Sequence, residues 1–271
     1  MTNDTHTSPV QTTVSEGIAR LVLNRPQKRN AFDDAMIATI TSALQGWHDD
    51  DTIQALVISA QGDTFCAGAD LGWMKRTAKL DYEANLADAQ GLAQMMKLLD
   101  SFPAPVITLV QGSAFGGALG IICTSDIVLA STDARFCLSE VKLGIIPAVI
   151  SPYVVRAMGE RNARRYMLTA ELISAESALS MNIIHHLFDE QADAASAVEK
   201  LVATIRNNGP EATRACKQLI ADISGREIDD ELLQLTSNAI AEIRNTPEGQ
   251  EGLGAFLEKR TPSWQKQAGE E

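Results

Sequence analysis

Apolar and polar positions alternate over residues 10–14 and again over Ile18–Leu23, the period of strands, and Ser15-Glu16-Gly17 between them has hairpin-turn chemistry. Asn24-Arg25-Pro26 ends the second strand. The period then changes. Met36, Ile37, Ile40, Leu44 and Trp47 recur at helical spacing behind Asp33 and Asp34, whose charges suit the positive end of a helix dipole. The unbroken run Ala55-Leu56-Val57-Ile58-Ser59-Ala60 predicts a buried strand that leaves through Gln61-Gly62-Asp63. A ββαβ unit is complete here, and its rhythm repeats. Leu86, Ala89, Ala93, Met96 and Leu99 share one face of a second helix, and Pro103 and Pro105 separate it from the strand Val106–Val110. Residues 127–130 and Arg135–Cys137 read as short strands around the turn Ser131-Thr132-Asp133. Ser151-Pro152 has the N-cap and first-turn proline signature of a helix that continues through 161–168. A strand at 183–188 and a helix at 194–206 follow.

Asn207-Asn208-Gly209-Pro210 is the clearest break in the chain, and beyond it the pattern is helical: 212–223, 232–243, and a segment opened by Thr246-Pro247-Glu248. The reading is therefore a polar, flexible tail at 1–9, an α/β core at 10–208 and a helical module at 209–271.

Charge and composition narrow the function. With 271 residues the chain can bury a substantial core, and its net charge of −12 opposes a nucleic-acid or anionic-membrane partner. No run approaches the roughly 18 to 20 apolar residues of a membrane-spanning helix. Cys66, Cys123, Cys137 and Cys216 show no metal-ligand spacing, the four histidines add no cluster, and no secretory signal is recognisable. The expectation is no metal site, reduced thiols and a cytoplasmic protein. His185-His186 falls in the run expected to be a strand, where a ring that packs or faces solvent is the simplest reading.

The candidate chemistry begins where the strand Val106–Val110 gives way to Gly116-Gly117 and a helix. Glycines there allow a ligand close to the backbone, and free N–H groups at a helix start favour an oxygen carrying negative charge. The same glycines equally permit tight helix–strand packing. The loop Thr64-Phe65-Cys66-Ala67-Gly68-Ala69-Asp70-Leu71 is rich in small residues, which leaves room for a ligand beside the main chain; a mixed stretch with Trp73, Met74, Lys75 and Arg76 follows it.

Four motifs occur in order across residues 14–264: Phe65-Cys66-Ala67-Gly68-Ala69-Asp70, Phe115-Gly116-Gly117-Ala118-Leu119-Gly120, Ser139-Glu140-Val141-Lys142-Leu143-Gly144-Ile145-Ile146-Pro147 and Phe256-Leu257-Glu258-Lys259-Arg260. Together they resemble the enoyl-CoA hydratase/isomerase (crotonase) superfamily. The resemblance implies a crotonase-type spiral of ββα repeats, then a C-terminal helical module that packs homotrimers, commonly paired into hexamers. It implies acyl-CoA thioester substrates and no metal or redox cofactor, coenzyme A being part of the substrate. The two oxyanion-hole N–H donors map onto Ala69 and Gly117, and Glu140 aligns with the second of two catalytic glutamates. Lys28 and Arg29 lie in the turn that contacts CoA phosphates in similar proteins, although Lys-Arg pairs are common on solvated surfaces. Ala67, Ala69, Asp70 and Leu71 would border the adenine and pantetheine, and Phe256 and Lys259 would reach the CoA of a neighbouring subunit. Trp73, Met74, Leu138 and Val149 are candidate acyl-pocket residues, or ordinary core.

One departure accompanies the match. The first glutamate of two-glutamate hydratases falls at Gly120, which has no side chain to hold or deprotonate water. A single carboxylate suits an isomerase moving a proton between C2 and C4, or a hydrolase; a non-catalytic or RNA-binding relative would not need Glu140. The segment 138–155, however, is similar to a bacterial subgroup assigned as methylglutaconyl-CoA hydratases of leucine breakdown, or as related isohexenylglutaconyl-CoA hydratases. That likeness favours hydration, with Glu140 as base and then acid, assisted by a substrate carboxylate, Ser139 or a second water. Lys75 or Arg76 is the candidate partner of a glutaconyl carboxylate.

Overall fold

Glu16 and Gly17, both at positive φ (50° and 74°), make the two-residue turn that pairs Ser15 with Ile18 and Val10 with Leu23 across an antiparallel hairpin. Such a turn matches the right-handed twist of the strands it joins. The hairpin opens a computed structural model that describes residues 8–265; the tail expected at 1–9 lies outside this range except for Ser8 and Pro9. The hairpin strands are β1 (Val10–Ser15) and β2 (Ile18–Leu23). The chain continues through α1 (Asp34–His48), β3 (Ala55–Ala60), α2 (Leu71–Thr77), α3 (Tyr82–Asp100), β4 (Val106–Val110), β5 (Ser113–Phe115) and α4 (Ala118–Thr124). Next come β6 (Ile127–Ser131), β7 (Arg135–Cys137), α5 (Ser151–Thr169), β8 (Ile173–Ser174), α6 (Ala175–Ser180) and β9 (His186–Phe188). Four helices close the described chain: α7 (Gln191–Arg206), α8 (Pro210–Ile223), α9 (Asp230–Asn245) and α10 (Pro247–Glu258).

The main sheet runs β1-β2-β3-β4-β6-β9, parallel from β2 onward. Every residue of β4 is buried, as a parallel strand covered on both faces requires. A second, narrower layer is built from the segments that leave this sheet. Phe32 bridges Ala69, Cys66 bridges Ala114, β5 pairs with β7, and β7 pairs with β8. The turns that start from β2, β3, β4 and β6 thus each contribute a strand to the main sheet, a short extended piece to the second layer and a returning helix. This is the expected ββα spiral, an α/β fold. The apolar face of α1 is the predicted one: Met36, Ile37, Ile40 and Leu44 are buried, and Asp33 caps the helix by accepting from Met36 N–H.

Local departures from the expected elements have local causes. Residues 71–77 form a helix rather than an irregular stretch, because the Asp70 carboxylate accepts from the N–H groups of Gly72 and Trp73. The cap of α5 is Ile150, not Ser151, whose hydroxyl donates instead to Ala148 O; Gly159 (φ 75°, ψ 154°) then breaks the helix into two segments. The strand expected at 183–188 begins only at His186. Ile183 N–H turns back to Ala178 O, and the His185 Nδ1 atom, not a backbone carbonyl, accepts from Val128 N–H.

Two compact units emerge, one comprising the described residues through Phe102 with Val106–Ser196, the other Pro103–Pro105 with the described residues from Ala197. The turn at Asn207-Asn208-Gly209, where sequence marks the boundary 208/209, separates α7 from α8, whereas the units divide earlier, within α7. In the second unit Glu248 of α10 accepts from Glu211 and Ala212 N–H, capping α8, whose own cap residue Gly209 has no side chain. No helix among the described residues is long and apolar enough to cross a membrane.

Candidate active site

A single bridge aims the Ala69 amide. Phe32 N–H donates to Gly68 O at 2.8 Å and Asp70 N–H donates to Phe32 O at 2.7 Å, so Phe32 uses the groups on either side of Ala69. The Ala69 amide therefore faces away from Phe32. The residue is exposed, and its N–H has no hydrogen-bond acceptor among the described residues. The loop before it is held on both sides: Cys66 N–H donates to Ser113 O, Phe115 N–H to Cys66 O, and Ala67 N–H to Arg29 O.

Gly116 sits against this loop. A Cβ built on Gly116 would stand 3.9 Å from Gly68 Cα, and one on Gly68 would stand 3.5 Å from Phe115 O. Both glycines are at positive φ (57° and 98°), so a side chain at either would strain the backbone as well as crowd the contact. The peptides Gly68–Ala69 and Gly116–Gly117 are thereby neighbours. Gly116 N–H is taken by Cys137 O, while Leu119 and Gly120 N–H turn back to Gly116 and Gly117 O in a tight first turn. Gly117 N–H has no acceptor among the described residues. Because α4 has only seven residues, the attraction for an anion resides in this unpaired N–H itself more than in a macrodipole.

Glu140 completes the cluster. It opens a 3-10 turn, Glu140–Leu143, and its Oε1 lies 3.2 Å from the Cβ position of Gly116. The other oxygen, Oε2, is buried without a hydrogen-bond partner among the described residues. Burial pushes the carboxyl above its ordinary pKa, opposed by the residue's own N–H. No ion pair links it to Lys142, which is exposed. Unpaired, desolvated and beside two free N–H donors, Glu140 is suited to exchanging a proton with a bound molecule.

Gly120, where the resemblance places a missing glutamate, is filled by its neighbours. A Cβ there would come within 2.5 Å of Ile150 Cγ2 and 2.7 Å of both Sδ and Cε of Met96. Ile150 and Met96 are buried, so apolar packing occupies the volume a second carboxylate would need.

The residues expected around the coenzyme divide by what they already hold. Lys28 is half-exposed and bonds the Asp70 carboxylate at 3.0 Å. Asp70 is buried, and its two oxygens are used by the α2 cap and by Lys28 and Arg25; against the upward push of burial, Lys28 and the Trp73 and Gly72 N–H groups hold its carboxyl below the usual range. Arg29 is exposed, at φ 50°, and lines a cleft of about 300 Å³ with Pro26, Gln61, Asp63 and Thr64. Ala67 is half-buried and Leu71 is exposed at the start of α2. Phe256, exposed on α10, and Lys259, the residue ending that helix, belong to the second unit. Of the acyl-pocket candidates, Leu138 is fully buried, and Trp73, Met74 and Val149 are half-buried; Trp73 Nε1 donates to Asp88 at 3.0 Å. Arg76 is paired with Asp34, leaving exposed Lys75 as the other candidate for a substrate carboxylate.

Two residues that pattern reading passed over hold the loops together. Asn30, wholly buried at φ 53°, accepts from Arg25 N–H and donates to Gln61 O and Thr64 O, tying the first loop to the second. Arg25 pairs with both Asp33 and Asp70. Both sit in a turn where Asn and Arg are unremarkable in sequence; the only signal was their position after a strand end.

The profile of the enoyl-CoA hydratase/isomerase family matches residues 13–267. The 2,3-dehydroadipyl-CoA hydratase of Escherichia coli K12 is 31% identical, over 90% of this chain and 93% of its own. Among solved structures, an enoyl-CoA hydratase from Shewanella pealeana is 50% identical with a TM-score of 0.92, covering 96% of this chain and 97% of that one. Pseudomonas aeruginosa AtuE is 33% identical with a TM-score of 0.91, covering 96% and 100%. A complete ββα spiral, two unpaired amides beside a half-buried glutamate, and these likenesses over nearly the whole chain agree: the protein is an enzyme of the enoyl-CoA hydratase/isomerase family.

Proposed function

We infer that the reaction is addition of water across the C2–C3 double bond of an enoyl-CoA thioester, by a hydro-lyase mechanism. The thioester oxygen accepts from Ala69 and Gly117 N–H. As the Glu140 carboxylate takes a proton from water, the oxygen of that water bonds to C3 and the π electrons move onto the thioester oxygen as an enolate. The enolate then takes the proton back from Glu140 at C2. Charge on that oxygen is greater in the transition state than in the ground state, so fixed donors lower the barrier. Each donor is worth about 3 to 4 kcal/mol where such donors have been removed. The observation that carries the reading is the unpartnered Oε2 of Glu140 next to two unpaired amides. Arg29 and its cleft, with Lys28, Ala67 and Leu71, are the proposed seat of the CoA moiety, and Phe256 and Lys259 contact it from a neighbouring subunit of a homotrimer or hexamer.

For the acyl group, the likeness of segment 138–155 favours 3-methylglutaconyl-CoA or a related branched glutaconyl ester. Lys75, exposed on α2, is the proposed partner of its second carboxylate. The apolar filling at Gly120 favours one further reading, C2–C4 proton transfer by Glu140 alone in an isomerase. Turnover of 3-methylglutaconyl-CoA, crotonyl-CoA and a 3-enoyl-CoA by wild type and Glu140→Ala separates the two. Hydration requires water incorporation at C3 with the 2-enoyl esters, abolished in Glu140→Ala with CoA-ester binding retained. Turnover of the 3-enoyl ester alone would establish the isomerase instead, and full activity of Glu140→Ala would refute both.

A further inference from the structure

The Phe32–Ala69 bridge is followed on each strand by an aspartate, Asp33 on one side and Asp70 on the other. The two are used alike. Asp33 Oδ1 accepts from Met36 N–H and so caps α1; Asp70 Oδ1 accepts from Gly72 and Trp73 N–H and so caps α2. In each case Oδ2 turns to Arg25, whose Nη1 donates to Asp33 at 2.6 Å and Nη2 to Asp70 at 3.3 Å. Nη1 also donates to Ala31 O at 3.3 Å, immediately before Phe32. The three side chains are only 12%, 18% and 9% exposed, so water competes weakly for these contacts. One planar guanidinium therefore closes both strands of the bridge that aims the Ala69 amide, a geometry an ammonium cannot reproduce.

We propose that Arg25 is a positioning residue for catalysis: by clamping Asp33 and Asp70 it holds the Phe32–Ala69 bridge, and with it the direction of the Ala69 N–H toward the thioester oxygen. The inference rests on the oxyanion role of Ala69 given above. Among the described residues Arg25 has no hydrogen bond to Gly116, Gly117 or Glu140; it acts through the peptide it fixes. Lys28 pairs with Asp70 from the solvent side and is half-exposed, so it neutralises that carboxylate without linking it to Asp33.

The test reads the hydrogen bond itself. Butyryl-CoA, a saturated ester that is not turned over, is bound to wild type, Arg25→Lys, Arg25→Met, Asp70→Asn and Glu140→Gln, and its thioester carbonyl stretch is measured by difference infrared spectroscopy. Melting temperature and the kcat and KM for crotonyl-CoA are measured alongside. Wild type should shift the stretch to lower wavenumber. Arg25→Lys keeps the charge and loses the fork; it should recover part of the free-ester frequency and lose kcat on the order of tenfold to a hundredfold, with KM nearly unchanged. Arg25→Met should do the same more severely, and Asp70→Asn carries the test if neither arginine variant folds. Glu140→Gln should lose turnover and keep the full carbonyl shift, which separates proton transfer from the donors. Folded variants that bind butyryl-CoA with a wild-type shift and wild-type kcat overturn the proposal. Absence of any shift in wild type overturns the oxyanion reading, and the proposal with it.

Discussion

Gly120 offers the sharpest quantitative test, because a missing side chain there is matched by neighbours that fill its space. Carbon atoms are in comfortable contact at about 3.5 to 4.0 Å, and a Cβ on Gly120 would meet Ile150 Cγ2 at 2.5 Å. The shortfall is about 1 Å or more. Met96 can retreat, since the atoms it presents are the end of a flexible side chain; Ile150 is stiff at χ1 and cannot. Gly120→Ala gains about 1 kcal/mol of helix propensity and loses about 1 to 3 kcal/mol to overpacking, for a net loss on the order of 1 kcal/mol. Ile150→Ala alone should cost about 2 to 5 kcal/mol, through burial lost and the cavity left. In the double variant the new methyl enters the vacated volume, so the loss should fall short of the sum by about 1 kcal/mol or more. Urea midpoints of the four proteins, at matched protein concentration, give the cycle directly. Strict additivity would refute the packing account. Gly120→Glu extends the test to function: a carboxylate forced among Ile150 and Met96 should lower stability and add no hydration activity. A folded Gly120→Glu with raised kcat would show that the volume is open after all.

Glu140→Gln should abolish turnover yet raise the melting temperature at neutral pH. Burial raises the folded-state pKa of Glu140, so its stabilising contribution is complete below the unfolded pKa and is lost as pH rises through the folded one. The same shift places the acidic limb of kcat/KM above an ordinary carboxylate, rising with pH as the base ionises; a limb at the ordinary value would contradict it. Gly116→Ala, with φ at 57° and its methyl 3.2 Å from Glu140 Oε1, should fold with a loss of roughly 1 to 2 kcal/mol and a much lower kcat, measured by melting and steady-state kinetics. Limited alkylation followed by mass spectrometry should mark exposed Cys216 and spare Cys66 and Cys123, buried thiols pushed up to about 12. Light scattering should return three or six times the chain mass, with Phe256, Leu257 and Leu253, all exposed in the isolated chain, protected from hydrogen exchange or labelling in the assembly.

Most main-sheet strands and α1 were legible because one-sided or complete burial leaves a period in the sequence, whereas on α3 Leu86 and Ala93 of the expected apolar face are exposed. β4, apolar throughout, and α1, apolar at Met36, Ile37, Ile40 and Leu44, are where they were expected. The second layer was not legible beyond Arg135–Cys137. Ser113–Phe115 and Ile173–Ser174 are two or three residues long and pair through backbone alone, so no side-chain pattern records them. The same limit applies to α2, which exists because of a capping carboxylate and not an apolar stripe. Of the candidate site, Gly116, Gly117, Ala69 and Glu140 were visible through motif resemblance, and the glycine pair also because glycines at a strand-to-helix turn let a ligand approach the backbone. Arg25 and Asn30 act on carbonyls and carboxylates distant in sequence, a relation that only the folded chain displays.

The two halves of the candidate site follow opposite electrostatic rules, and the division is what the proposed single-carboxylate mechanism needs. On the Ala69 side Arg25, Lys28, Asp33 and Asp70 pair with one another, so the proposed donor is a neutral amide flanked by paired charges. On the other side Glu140 has an oxygen with no partner among the described residues, and its charge is disfavoured by burial. Such a carboxylate suits the proposed base because no hydrogen-bond partner among the described residues holds that oxygen. An arginine free to swing towards Glu140 would lower its pKa and weaken it as a base. Under the proposed mechanism the clamp on Asp33 and Asp70 has two consequences: it aims the amide, and it keeps the Arg25 guanidinium committed to carboxylates other than Glu140.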